Sequence, residues 1–363
     1  MKRSTLGRAL VLPTTAALAF GIAACGAANE EGGGGGTTIN GAGASAQEAA
    51  QTAWRTGFLE NNEGSINYDP VGSGGGREQF ISGGTDFAGS DSYLDDEEVQ
   101  AAQERCGEGG FVEIPAYISP IAVVFNVEGV NELNLKPATI AKIFNQEITN
   151  WNDPEIQADN PNANLPDTAI SPVNRSDASG TTENFVEYLE AAAPEDWPHE
   201  VSDEWPVQGG EAAQGTAGVV QAVQNGNGSI GYADASQAGD LNSVNVGVGE
   251  EFVEYSPEAA ASVVDVSERA EGDRGEHSFA FDLARDTTEA GTYPIVLVSY
   301  VIACAQYDDE GKANMVKDYL NYTISEEGQQ AAQETAGSAP ISDELRQQVQ
   351  PAVDAIAPAG GGN

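Results

Sequence analysis

The chain has 363 residues, with 15 Lys and Arg against 57 Asp and Glu, and a formal net charge of −42 at pH 7. So acidic a body excludes nucleic acid as a partner, since that takes a basic face, and excludes electrostatic docking on an anionic membrane surface. With 2 His and 3 Cys, and no CxxC or HxxxH spacing, it holds no metal-ligand pattern, and no metal or other cofactor is expected.

Lys2, Arg3 and Arg8 precede an apolar run from Ala9 to Ala24, too short to span a bilayer as a stable helix. The segment reads as a secretory leader, residues 1–24, and its end, Ile22-Ala23-Ala24-Cys25-Gly26, resembles a bacterial lipobox. That resemblance implies cleavage before Cys25 and a lipid on its thiol; an ordinary signal peptide with an incidental cysteine is the alternative. Gly32 to Gly36 extends this into a flexible tether, so residues 25–36 are the expected anchor and linker. Without the leader 339 residues remain, which favours two domains over one. An exported chain sits in an oxidising place, so Cys106 and Cys304 are expected to form a disulfide.

Strands and helices alternate along the body, which predicts an α/β fold with a largely parallel sheet. Short strand-like runs at Thr38–Asn40, Ile66–Val71 and Ala169–Val173 each lead into a small-residue turn that opens a helix. The turns are Gly41 to Ser45, Gly72 to Gly76 and Ala178 to Thr182. Helices are predicted at Gln47–Leu59, Pro137–Phe144, Thr182–Ala193 and Thr216–Val223. Further strands are predicted at Thr85–Ser90, at two stretches within 111–127 around Pro115 and Pro120, at Ser229–Ala233 and at Ile295–Ala305. Ala313–Thr335 reads as one long helix or two, with Gly328 as the break. Asn150–Asp167 is rich in Asn, Pro and Asp and reads as loop, and Ala357–Asn363 reads as a frayed end.

The three turns carry the chemistry. The first N–H groups of a helix lack internal partners and point at whatever lies there, glycine lets the backbone approach, and Ser or Thr adds a hydroxyl. Gly41 to Ala46 also nearly fits a dinucleotide fingerprint, but no acidic residue closes a strand at the expected distance; a plain strand-to-helix turn and an anion-facing Ser45 both remain open. Ser73 has Val71 where a nucleophile elbow needs glycine, and neither histidine is placed as its base, which argues against a hydrolase. Asp91 ends the run Asp86-Phe87-Ala88-Gly89-Ser90-Asp91; it is either a helix N-cap or a carboxylate for an anion that carries a proton. Arg175 offers a planar fork of donors, Asp177 is placed to hold that fork, and Ser179, Gly180 and Thr181 open a helix beside it. Several charge-assisted hydrogen bonds of about 1.5–3 kcal/mol each outweigh a net field that salt screens beyond about 8 Å. An acidic body is therefore no bar to an anion site.

Taken together, GAGAS at 41–45, GSGGG at 72–76, DFAGSD at 86–91, RSDASGTT at 175–182 and QNGNGSIGYAD at 224–234 resemble the phosphate-binding proteins of Pst-type ABC phosphate transporters (PstS family). The resemblance covers about residues 37 to 350. It implies a type II periplasmic-binding-protein fold, two α/β lobes with phosphate closed between them, and no enzymatic activity. Lobe I would comprise 37–122 and 297–350, lobe II 123–296, and 351–363 a tail. Ser45, the N–H of Ala46, Ser73, Asp91, Arg175, Ser179, Gly180 and Thr181 would contact phosphate, with Asp177 behind Arg175. Cys106 and Cys304 would fall in one lobe. The implied partners are inorganic phosphate and an ABC permease with its ATPase, at the extracytoplasmic face of the membrane. One departure stands out: the family's opening continues with an aromatic residue and a proline, where this chain has Ala46 and Gln47. A receptor for sulfate, molybdate or tungstate, a phosphate-ester hydrolase, and an adhesin or sensor that kept the fold are the rival readings.

Overall fold

A computed structural model describes residues 36–360. The leader, Cys25 and most of the glycine tether lie outside the described residues.

The alternation predicted for the first part of the body is present. It runs β1 (Thr38–Gly43), α1 (Glu48–Asn61), β2 (Ser65–Asp69), α2 (Ser73–Ile81), β3 (Phe87–Ser90) and α3 (Asp96–Cys106). β1 pairs in parallel with β2 and β3, as crossover helices require. One correction falls here: Gly41 and Gly43 belong to β1 rather than to a turn, and α1 starts only at Glu48. Asp91 does not cap a helix; Asp95 does, in a reciprocal capping box with Glu98 on α3.

Next comes β4 (Phe111–Asn126), one strand of 16 residues where two stretches were predicted. It runs straight through Pro115 and Pro120. Its first part pairs with a later strand up to Pro120, and from Ile121 its second part pairs with a different one. β4 thereby joins the two halves of the sheet.

The second half contains β5 (Leu133–Leu135), α4 (Pro137–Phe144), α5 (Pro154–Asp159), β6 (Ser171–Arg175), α6 (Gly180–Ala192), β7 (Glu211–Ala213), α7 (Gly215–Asn225), β8 (Ser229–Asp234), β9 (Asn242–Val248), β10 (Glu251–Val253) and α8 (Pro257–Asp265). α5 lies in the stretch expected to be loop: Asp153 caps it and Pro154 takes its first position. The short ribbon β11 (Glu268–Arg269) and β12 (Phe281–Asp282) precedes β13 (Val296–Cys304), buried at every position.

The chain ends with β14 (Gln306–Tyr307), α9 (Glu310–Ile324), α10 (Glu326–Ala336), α11 (Asp343–Asp354) and β15 (Ala357–Pro358). The predicted long helix is two, but the break is at Ser325, not Gly328. Residues 357–360 are not frayed: β15 pairs with β14, and the Ala357 N–H donates to Ala305 O at 2.9 Å.

The main sheet has 11 strands along the path β2-β1-β3-β13-β4-β8-β6-β7, with β9 pairing β4 and carrying β5 and β10. β13 is antiparallel to both β3 and β4, and β4 is antiparallel to β8. The sheet is therefore mixed at its centre and parallel toward both ends, more mixed than the alternation predicted. Helices cover it, and Trp54, Trp151, Trp197, Phe80 and Phe125 are buried against it. Cys106, at the end of α3, and Cys304, at the end of β13, form a disulfide across 198 residues of sequence. Among the described residues, no helix is long and apolar enough to cross a membrane.

Candidate functional site

The site forms where the carboxyl ends of β1, β3 and β6 meet the first turns of α2, α6 and α7. In a parallel sheet, strand ends and helix N-termini converge there, so unpaired N–H groups point into one space. β1 delivers Ser45 and Ala46, α2 begins with Ser73, β3 leads to Asp91, β6 ends at Arg175, and α6 begins at Gly180. All are buried; Asp91 is 2% exposed and Arg175 3%.

Asp91 organises one side. Its N–H donates to Ser73 Oγ at 3.1 Å. Its carboxylate accepts from Thr181 Oγ1 at 2.9 Å and from Ser299 Oγ, on β13, at 2.6 Å. Its carbonyl accepts from Asn184 Nδ2 at 2.7 Å. Burial raises its pKa above the ordinary carboxylate value, while the Ser299 and Thr181 hydroxyls and the charges of Arg175 and Arg77 pull it back toward the ionised form.

Arg175 organises the other side. Its Nε donates to Asp177 Oδ1 at 2.9 Å and its second amino group to Asp177 Oδ2, the pairing expected from the sequence. Asp177 also accepts from the Gly215 N–H at 3.0 Å, which ties β6 to the start of α7. Burial works to raise the pKa of Asp177, but the hydrogen bonds and charge of Arg175 and the Gly215 N–H hold it below the ordinary value. Ser179 caps α6: its Oγ accepts from the Thr182 N–H at 3.2 Å, which leaves its hydroxyl proton to donate.

The two sides touch. Ser45 Oγ lies 3.0 Å from Thr216 Oγ1 and accepts from the Thr216 N–H at 3.1 Å. A Cβ placed on Gly180 would stand 2.8 Å from both Ser73 Oγ and Asp91 Cβ. A Cβ on Gly72 would stand 2.6 Å from Asp177 Oδ2. These glycines are what let the turns come together. Arg77 on α2 adds an ion pair to Asp203 at 3.1 Å, in the connection between α6 and β7, and another to Glu98 at 2.8 Å.

Among the expected site residues, Ser73, Asp91, Gly180 and Thr181 come together on one side, and Arg175 with Asp177 comes together with the start of α7, where Ser45 also sits, on the other. Cys25 lies outside the described residues. Sequence reading missed Thr216 and Ser299. Gln214-Gly215-Thr216 is a fourth glycine-hydroxyl helix start, so the signal that found the other three was present. Ser299 is the one Ser or Thr within the apolar run from Val296 to Cys304. A cleft of about 650 Å³ opens among Asn131, Asn134, Asn160, Asn162, Asn164 and Asn245, away from these donors. A second, of about 530 Å³, flanks Arg175 and Asp177 on the Trp205 side. Among the described residues, no group of three or more His, Cys, Asp or Glu is arranged to hold a metal ion. The donor set, the hydroxyls of Ser45, Ser73 and Ser179 and the helix N-termini around a guanidinium with one carboxylate as acceptor, suits a small oxyanion that carries a proton.

The chain is similar to known proteins. A family model described as a PBP superfamily domain matches residues 28–327. The chain is 37% identical over 380 residues to phosphate-binding protein PstS 3 of Mycobacterium leprae, covering 98% of this chain and 100% of that one. It is 37% identical over 329 residues to phosphate-binding protein PstS 3 of Mycobacterium tuberculosis H37Rv, covering 88% and 87%. A high-affinity periplasmic phosphate-binding protein (PfluDING), solved with phosphate, superposes with a TM-score of 0.71 over 87% of this chain and 93% of that one; at 22% identity this likeness shows the fold. With relatives that match it nearly end to end and a family model spanning most of its body, the chain belongs to the PstS family of phosphate-binding proteins.

Proposed function

We propose that this protein captures inorganic phosphate outside the cell and passes it to an ABC permease powered by its ATPase, while a lipid on Cys25 holds it at the extracytoplasmic membrane face. Ser45, the Ala46 N–H, Ser73, Arg175, Ser179, Gly180 and Thr181 donate to phosphate oxygens, and Asp91 accepts from the phosphate proton. Asp177 keeps the Arg175 fork aimed. Residues 37–122 and 297–350 form one lobe and 123–296 the other; the chain passes between them within β4, just after Pro120–Ile121, and again at the start of β13. Closure of the lobes brings Ser73 and Asp91 against Gly180 and Thr181.

The buried Asp91 carboxylate, set among anion donors, carries this reading. Phosphate near neutral pH keeps a proton to donate to Asp91, whereas sulfate presents only lone pairs to the carboxylate, and such a like-charge juxtaposition costs several kcal/mol. The membership of the chain in a family of phosphate-binding proteins supports the same ligand. Calorimetric titration of the mature protein with phosphate and with sulfate tests it. Binding of phosphate with rejection of sulfate is expected, and Asp91→Asn, whose amide donates, is expected to admit sulfate. Equal rejection of sulfate by that variant and the wild type would remove Asp91 from the selectivity mechanism.

A further inference from the structure

Behind Asp91 runs a line of buried polar side chains reaching away from the ligand donors. Ser299 Oγ donates to Asp91 Oδ1 at 2.6 Å. Gln47 Nε2 donates to Ser299 Oγ at 2.6 Å and to the Tyr300 carbonyl at 2.9 Å. Gln51 Nε2 donates to Gln47 Oε1 at 2.9 Å, and Tyr319 OH donates to Gln51 Oε1 at 2.7 Å. Gln47, Gln51, Ser299 and Tyr319 are each 0% exposed.

The direction of this line is fixed by one group. The Tyr300 carbonyl only accepts, so it must face the amide nitrogen of Gln47. The Gln47 nitrogen then supplies its other proton to Ser299 Oγ, and its oxygen must accept from Gln51. Accepting that hydrogen bond, Ser299 Oγ keeps its own proton to donate, and the acceptor in front of it is Asp91. Every donor points the same way, and the line ends on the carboxylate. Gly89 makes the passage possible, since a Cβ there would stand 2.6 Å from Gln47 Oε1.

We infer that Gln47 and Ser299 are positioning residues that hold Asp91 as an ionised acceptor, and so set the sulfate rejection of the site. The inference rests on the phosphate-receptor reading above. A donor to the charged form of a buried carboxylate favours that form. Without it, Asp91 takes up a proton at a higher pH, becomes a donor, and offers sulfate a partner. The other charged or titratable groups near Asp91 are Arg77 on α2, Arg175 at the end of β6, Tyr68 on β2 and Asp234 on β8. Glu183 and Glu187 on α6, Arg285 before β13, Tyr300 on β13 and Tyr93 line the small cavity beside it.

Sulfate reports on the protein alone, because it does not titrate between pH 5 and 8.5. Its affinity, and that of phosphate, are measured by calorimetry across that range for the mature wild type, Ser299→Ala, Ser299→Thr and Gln47→Met. In Ser299→Ala the sulfate curve is expected to move to higher pH by about one unit, so that sulfate binds about tenfold tighter at pH 6. Gln47→Met, which keeps its length but has no donor, is expected to move the curve the same way by less, and carries the test if Ser299→Ala does not fold. Ser299→Thr, which keeps the hydroxyl, is expected to follow the wild type. Sulfate curves that superpose on the wild type for both Ser299→Ala and Gln47→Met would overturn the inference. So would a parallel loss of both anions with no movement along the pH axis, which would make the line a packing element. A wild type that binds no phosphate would overturn the receptor reading and this inference with it, whereas phosphate binding with unmoved sulfate curves would overturn this inference alone.

Discussion

Substituting alanine at Gly180 separates what the site needs with ligand from what it needs without. A Cβ at this position would lie 2.7 Å from Ser92 Oγ and 2.8 Å from Asp91 Cβ and Ser73 Oγ, where an ordinary contact begins near 3.4 Å. The first turn of α6 must therefore retreat from the end of β3 and the start of α2 by about 0.6–0.7 Å, the shortfall in those contacts. Ser92 Oγ can swing away, but Asp91 cannot: Ser299, Thr181 and Ser73 all hold it. A misplacement approaching 1 Å among converging donors costs roughly 10- to 100-fold, so phosphate binding should weaken by that factor in Gly180→Ala. The clash exists only when the two sides of the site are together. If the lobes stand apart without ligand, the unfolding midpoint of the ligand-free variant should match the wild type, while the stabilisation conferred by added phosphate collapses. Calorimetric titration gives the affinity and scanning calorimetry with and without phosphate gives the midpoints. Affinity within threefold of the wild type would refute the close approach as a requirement for binding. A ligand-free midpoint that falls as far as overpacking of a permanent core predicts, about 1–3 kcal/mol in stability, would refute the opening.

Three further outcomes are expected. Burial pushes Asp234 up to about pH 6, and its Oδ2 has no hydrogen-bond partner, so folding takes up a proton between about pH 4 and 6 and stability from this group falls as pH rises through that window; Asp234→Asn should flatten this part of the stability curve in scanning calorimetry by about 3 kcal/mol, and an unchanged slope would refute it. Reduction of the Cys106–Cys304 disulfide should cost about 2–4 kcal/mol, read from denaturant midpoints, and two free thiols at these positions in unfolded, unreduced protein would rule the bridge out. The phosphate on-rate should rise with added chloride salt while the off-rate changes little, because screening relieves long-range repulsion by the acidic surface; stopped-flow rates that fall with salt would mean a positive funnel at the cleft overrides it.

What the sequence disclosed was local, and what it concealed was long-range. Glycine followed by a hydroxyl marks a helix start because backbone geometry demands it, so Ser73 and Gly180 were found within their own segments. Pro137 began α4 where a proline belongs. Gly328 misled because glycine has two uses: it sits inside α10, where a Cβ would meet the Tyr322 carbonyl at 1.9 Å, and close packing rather than helix breaking explains it. The true break is signalled by Ser325, whose Oγ caps α10 at the Gly328 N–H. Pro115 and Pro120 suggested two strands, but β4 tolerates both, with a register shift at Ser299/Tyr300 of β13 opposite the first. Ser299 reaches Asp91 across 208 residues, a separation over which no local pattern carries information.

The extreme acidity and the anion site become compatible once the cations are located. Of the 15 Lys and Arg, three lie in the leader, leaving twelve for the body. Four of these, Arg77, Arg175, Arg274 and Arg285, are buried. Each meets a carboxylate: Arg77 with Glu98 and Asp203, Arg175 with Asp177, Arg274 with Glu113, and Arg285 with Glu187. Arg77 and Arg175 both act on Asp91, and Arg285 shares with it the small cavity beside the site. A third of the body's positive charge is thus interior, and most of that third stands around one carboxylate. Exposed acids act through water and salt, where pairs lose strength within about 8 Å; the buried arginines act at hydrogen-bond distance, where little water intervenes. The surface can therefore be almost uniformly negative while the site keeps a donor-rich interior, because the two fields operate over different ranges and in different media.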